Sequence, residues 1–150
     1  MPLSATGPRA VISDPWFWLA AGAAVPLWVG WLMVTGHQPD WSWPGRQPAR
    51  FTVLVLLYPV AEELVFRGGL QGWLLERPLG QRRLVGLSGA NWLTSLVFTG
   101  LHFFGHPPLA AASVIVPSLV FGHFRDRHGS VISPIALHVF YNGGYFWLFG

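Results

Sequence analysis

The chain has 150 residues, of which 52% are hydrophobic and 10% charged, with a net charge of +3. Soluble domains carry about 25% charged residues, so a soluble globule, a disordered chain and a nucleic-acid binder are excluded. The absence of cysteine removes disulfide scaffolds, cysteine zinc sites and thiol nucleophiles. An integral membrane protein remains. All nine basic residues are arginines, scattered singly or in pairs. They read as flanks of membrane spans rather than as a nucleic-acid footprint.

A bilayer core needs about 20 helical residues. Five apolar stretches reach or approach that length. The first, about Trp16–Val34, contains Pro26 and is too long for a signal peptide core; it reads as a retained span. A polar connection with Pro39, Pro44 and Pro48 follows. The second runs about Phe51–Leu75, the third about Leu84–Phe104, the fourth about Leu109–Phe124 with Pro117 inside, and the fifth about Val131–Phe149. The expectation is one domain over residues 1–150: an all-α, polytopic helical bundle of about five transmembrane helices, without β-sheet. Arginine placement sets its orientation. Arg9, Arg77, Arg82, Arg83, Arg125 and Arg127 fall on one side, Arg46 and Arg50 on the other. The N-terminus is therefore expected in the cytoplasm.

Ionisable groups at membrane depth cost roughly 2.5–3.5 kcal/mol each and mark function. The second stretch carries Glu62, Glu63 and Arg67. Glu63 and Arg67 are four apart and share a helix face, so they are expected to pair. Glu62 is turned about 100° away and stays available. Pro59 lacks an N–H and is expected to free the carbonyl of Val55. The third stretch places Phe98 and His102 on one face. His106 follows four residues later, but Gly105 and Pro107 put it in a loop. The fifth places His138 and Asn142 one turn apart, two donors on one face that suit a developing oxyanion. A carboxylate, a histidine and a donor pair are what water-mediated peptide hydrolysis requires. A buried structural network and interhelical hydrogen bonds are the bland alternatives.

Glu-Glu-x-x-x-Arg at 62–67, Phe-x-x-x-His at 98–102 and His-x-x-x-Asn at 138–142 resemble the three signature motifs of the CPBP family. These are CAAX proteases and bacteriocin-processing intramembrane proteases. No motif is specific by itself; the three in order on separate stretches are. The run from Val120 to Pro134 also resembles the family's approach to its last motif, and the likeness covers about residues 54–142. It implies an intramembrane endopeptidase of glutamic type, cutting near the C-terminus of a protein with a C-terminal membrane anchor or lipidated tail. Glu62 would activate water with help from His102. His138 and Asn142 would form the oxyanion hole, and Glu63 and Arg67 would shape the site. No metal is implied, with zinc held by His102, His138 and a carboxylate as the alternative. A non-catalytic immunity or scaffold protein of the same fold is the other. The small size resembles compact bacterial members, in the cytoplasmic membrane, and puts prenylated substrates in question.

Overall fold

The computed structural model describes residues 8–150. Short α1 (Pro8–Ile12) leads to Asp14, which N-caps α2 (Pro15–Thr35) by accepting the Trp16 N–H. Gly36, at φ 63°, ends that helix in the left-handed conformation glycine favours. After α3 (Trp43–Arg46) comes one long helical rod from Pro48 to Leu75. It is made of α4 (Pro48–Thr52), a π-helical turn (Val53–Leu57), α5 (Tyr58–Glu63), a second π-helical segment (Leu64–Gln71) and α6 (Gly72–Leu75). Then α7 (Pro78–Gln81) precedes an antiparallel pair of two-residue strands, β1 (Arg83–Leu84) and β2 (Leu87–Ser88). The remaining helices are α8 (Gly89–His102), α9 (Pro108–Ser113), α10 (Ile115–His128) and α11 (Ile132–Phe149).

The all-α expectation thus holds but for the small hairpin. Its turn, Val85-Gly86, has positive φ at both residues (52° and 80°), as a two-residue hairpin requires. The hairpin also changes the third stretch. Residues 84–88 leave the helix, and the 14 residues of α8 span about 21 Å, short of the roughly 30 Å bilayer core. Among the described residues, two helices are long and apolar enough to cross a membrane: Pro15–Thr35 and Pro108–His128. The expected count of five is not confirmed by this measure. The rod from Pro48 carries four charged residues, Arg50, Glu62, Glu63 and Arg67, and α11 carries His138, Asn142 and two glycines, which lower its apolarity.

Polarity is turned inside out. Glu63, Arg67, Gln71, Asn91 and Ser118 are completely buried, whereas Trp16, Leu19, Met33 and Val34 of α2 stand exposed. Lipid tails are as apolar as leucine, so such a surface suits a bilayer and the polar groups turn inward. α10 packs against α8 and α11, and α11 packs against α2 and α5. Phe17, Ala24, Phe121, Phe124, Leu137 and Tyr141 form the apolar core between them. The Tyr141 hydroxyl donates to the Ala20 carbonyl at 2.8 Å, which fastens α11 to the first half of α2.

Candidate active site

The i,i+4 spacing on the rod brings Arg67 Nε to 3.4 Å from Glu63 Oε2, both side chains fully buried. Arg67 also donates through Nη2 to the carbonyl and hydroxyl of Ser118 on α10, at 2.9 and 2.8 Å. Its guanidinium lies 5.1 Å from the Phe98 ring centre. The arginine therefore ties the rod to α10 and neutralises Glu63.

The other oxygen of Glu63 lies 2.8 Å from His138 Nδ1. A carboxylate paired with arginine only accepts, so Nδ1 carries the proton. The ring then turns Nε2 toward Glu62, whose Oε2 is 3.6 Å away. That is just beyond a direct hydrogen bond, so both groups remain able to engage a third. Phe121 stacks on His138 at 4.8 Å and fixes the ring plane. Sequence spacing separated the two glutamates into a paired one and an available one. It did not show that His138 sits between them.

Glu62, one-third exposed, faces a cavity of about 450 Å³ that His102, His138 and Asn142 also line. All four expected site residues thus meet at one cavity. His102 Nδ1 is 2.9 Å from the Phe98 carbonyl, one turn back on its own helix. A carbonyl only accepts, so the neutral ring presents an unprotonated Nε2. His106 lies in the loop after α8, as its neighbours suggested, but its ring stacks on His102 at 5.5 Å.

Asn142 donates to the carbonyl of Leu54 at 3.1 Å. The reason lies in the π-helical turn. The Tyr58 N–H bonds to Val53 in i→i−5 register. The next donor in that register would be Pro59, which has no N–H. The freed carbonyl is therefore Leu54, not Val55, because the register is wider than α. One N–H of the Asn142 amide satisfies it, and the second is left over. Among the described residues no group of three histidine or carboxylate side chains is placed to hold a metal ion.

Sequence reasoning missed Ser118, Phe121 and the cavity wall supplied by α2. Ser118 had one signal, a polar residue in an apolar stretch beside Pro117. Phe121 and the α2 wall had none, because apolar residues on apolar helices carry no mark of what they face.

An apolar exterior around a buried carboxylate–histidine set fits the class of membrane-embedded hydrolases. Residues 44–144 match the family model described as Type II CAAX prenyl endopeptidase Rce1-like, and the chain belongs to that family. Its members are CAAX-type intramembrane proteases, which accords with the resemblance read from the three motifs. All the site residues expected from sequence lie within the matched segment, whereas α1 and α2 lie outside it. Comparison with curated proteins and with solved structures gives no match.

Proposed function

We propose that the protein is an endopeptidase that hydrolyses a peptide bond near the C-terminus of a membrane-anchored protein, using water activated by Glu62. The observation that carries this reading is the placement of Glu62 on a largely apolar cavity, 3.6 Å from His138, with His102 and Asn142 on the same walls. Glu62 takes a proton from water as the oxygen adds to the peptide carbonyl. The same proton passes to the leaving amine when the tetrahedral intermediate collapses. His102 Nε2 holds the water's second hydrogen. The spare N–H of Asn142, and His138 Nε2 when that ring is doubly protonated, face the oxyanion. Glu63 and Arg67 act through His138, by holding its tautomer and orientation.

The cytoplasmic membrane of a bacterium, with the N-terminus inside, is the proposed setting. Two contacts support the sidedness. Arg127 bonds to Asp14 at 2.5 Å, and Arg83 and Arg125 share a surface pocket, so this basic group gathers at one end. Trp43 donates to the Phe146 carbonyl at the other end, beside Arg46 and Arg50.

The test is cleavage of membrane-anchored C-terminal tail peptides by purified protein in detergent. Glu62→Gln keeps size and hydrogen bonding but cannot take a proton, and turnover should fall by about 10²–10⁴. Undiminished cleavage by this variant removes Glu62 from the role. Cleavage abolished by a chelator and restored by zinc would replace the glutamic mechanism with a metal-dependent one. A wild-type protein that binds tails but cuts none would favour the scaffold reading.

A further inference from the structure

The cavity has a polar side and an apolar side. The polar side comes from the rod, α8 and α11, inside the family-matched segment. Apolar walls come from Ala110, Val116 and Pro117 of α9 and α10 and from Leu27, Trp28 and Trp31 of α2, the last three outside that segment. Positions 27, 28 and 31 lie on one helical face, so this turn of α2 presents two indoles and a leucine to whatever occupies the cavity.

The hydrogen bonds that fasten α2 lie away from this turn. The buried residues of α2, Phe17 and Ala24, both precede Pro26. Asp14 is bonded to Arg127 and His128, and Ala20 accepts from Tyr141, so these polar anchors lie in its first half. The half-buried indole of Trp28 has a built seat nonetheless. It packs against Phe140 at 5.5 Å and lies directly on Gly144, where an added Cβ would fall 2.2 Å from the ring. Phe140 and Gly144 share a face of α11, one turn apart, and the same indole lines the cavity that Asn142 lines. Trp28 is thus held in a built seat on the cavity wall.

We propose that α2 forms the specificity wall of the cavity and that Trp28 limits the size of the apolar side chain accepted next to the scissile bond. A peptide whose carbonyl lies among Glu62, His138 and Asn142 places its neighbouring side chains against apolar walls, to which α2 contributes both tryptophans. The ligand chemistry is an apolar residue of moderate size. The proposal rests on the reading of this cavity as the peptidase site.

The experiment uses the full chain and a cleaved tail peptide in which each residue within four positions of the cut is changed in turn to Ala, Leu, Phe and Trp. Wild type should discriminate by size at one position. Trp28→Ala should raise kcat/KM for the bulkiest residue there about tenfold relative to the smallest, within the range a changed apolar pocket gives. Gly144→Ala pushes the indole inward and should shift the preference toward small residues. Adding Trp28→Ala to Gly144→Ala should reverse that shift, a rescue that misfolding does not predict. The same peptides, fluorescently labelled, are also titrated onto Glu62→Gln by anisotropy, with and without Trp28→Ala. This arm reads size preference without turnover. Unchanged preference in both arms, or an equal change for every peptide, overturns the proposal. Cleavage by Glu62→Gln at the wild-type rate would overturn the mechanism while leaving the wall to be judged by the anisotropy.

Discussion

Arg67 offers the sharpest test of how the buried charges are arranged. Arg67→Met removes the charge while filling most of the space. Glu63 is then left fully buried without its cation, and both oxygens of Ser118 lose their donor. Breaking a buried pair by removing one partner costs about 3–5 kcal/mol. For a chain of this length, roughly 2–4 °C of melting temperature is lost per kcal/mol, giving a fall of roughly 6–20 °C. Removing both charges is different, because the penalty comes from the stranded carboxylate. Glu63→Gln added to Arg67→Met should recover most of the melting temperature. Turnover should not recover, since a glutamine no longer fixes the Nδ1 proton of His138 as a paired carboxylate does. The assay is thermal unfolding of purified protein in detergent, alongside tail cleavage by the same preparations. An Arg67→Met protein that melts like wild type but turns over poorly would refute the reasoning and assign Arg67 to the chemistry.

Two further outcomes follow from contacts away from the cavity. Hydrogen bonds from Arg127, then from the Trp16 N–H and His128, hold the Asp14 carboxyl below the ordinary carboxylate range. A depressed native pKa stabilises the fold above the unfolded value of about 3.9, and that stability is lost as pH falls through the lowered native value. Asp14→Asn should therefore melt lower than wild type at pH 6 and lose less on acidification below about pH 4; parallel melting curves would remove Asp14 from acid sensitivity. At the α8–α10 crossing, a Cβ on Gly122 would fall 2.0 Å from Asn91 Oδ1, whose amide donates to the Leu119 carbonyl. Gly122→Ala should cost about 1–3 kcal/mol by overpacking, read as a lowered melting temperature, and an unchanged one would show that this crossing gives way easily.

The site was legible where the chemistry is local or costly. Glu62, Glu63 and Arg67 announced themselves by charge in an apolar stretch, and the i,i+4 rule paired the last two. His102 and His138 stood out in the same way. What sequence could not supply was relation across helices. The position of His138 between two carboxylates depends on how α11 crosses the rod. The partner of Asn142 depends on a helical register that no residue type encodes outright. The length of the third apolar stretch was misjudged for a related reason. Hydropathy registers Leu84 and Leu87 as continuing an apolar run, whereas backbone pairing across Val85-Gly86 takes them out of the helix. Trp28 shows the limit most plainly: nine tryptophans in an apolar chain look alike until one is seen resting on a glycine.

The two wide segments of the rod make it sensitive to residue count as well as residue type. Glu62 and Glu63 sit in α5, between the π-helical turn and the π-helical segment, and Gln71 at the end of the second donates to Gly122 and Asp126. Each residue advances an α-helix by about 100°. Winding Leu64–Gln71 as an ordinary α-helix with every residue kept would turn everything beyond it by about that angle from what it now touches. One residue fewer would let the segment close to α and keep the phase, so the wide register is how this stretch carries an extra residue. The rod works as a key with one notch too many, which turns the lock only because the pitch around that notch is opened.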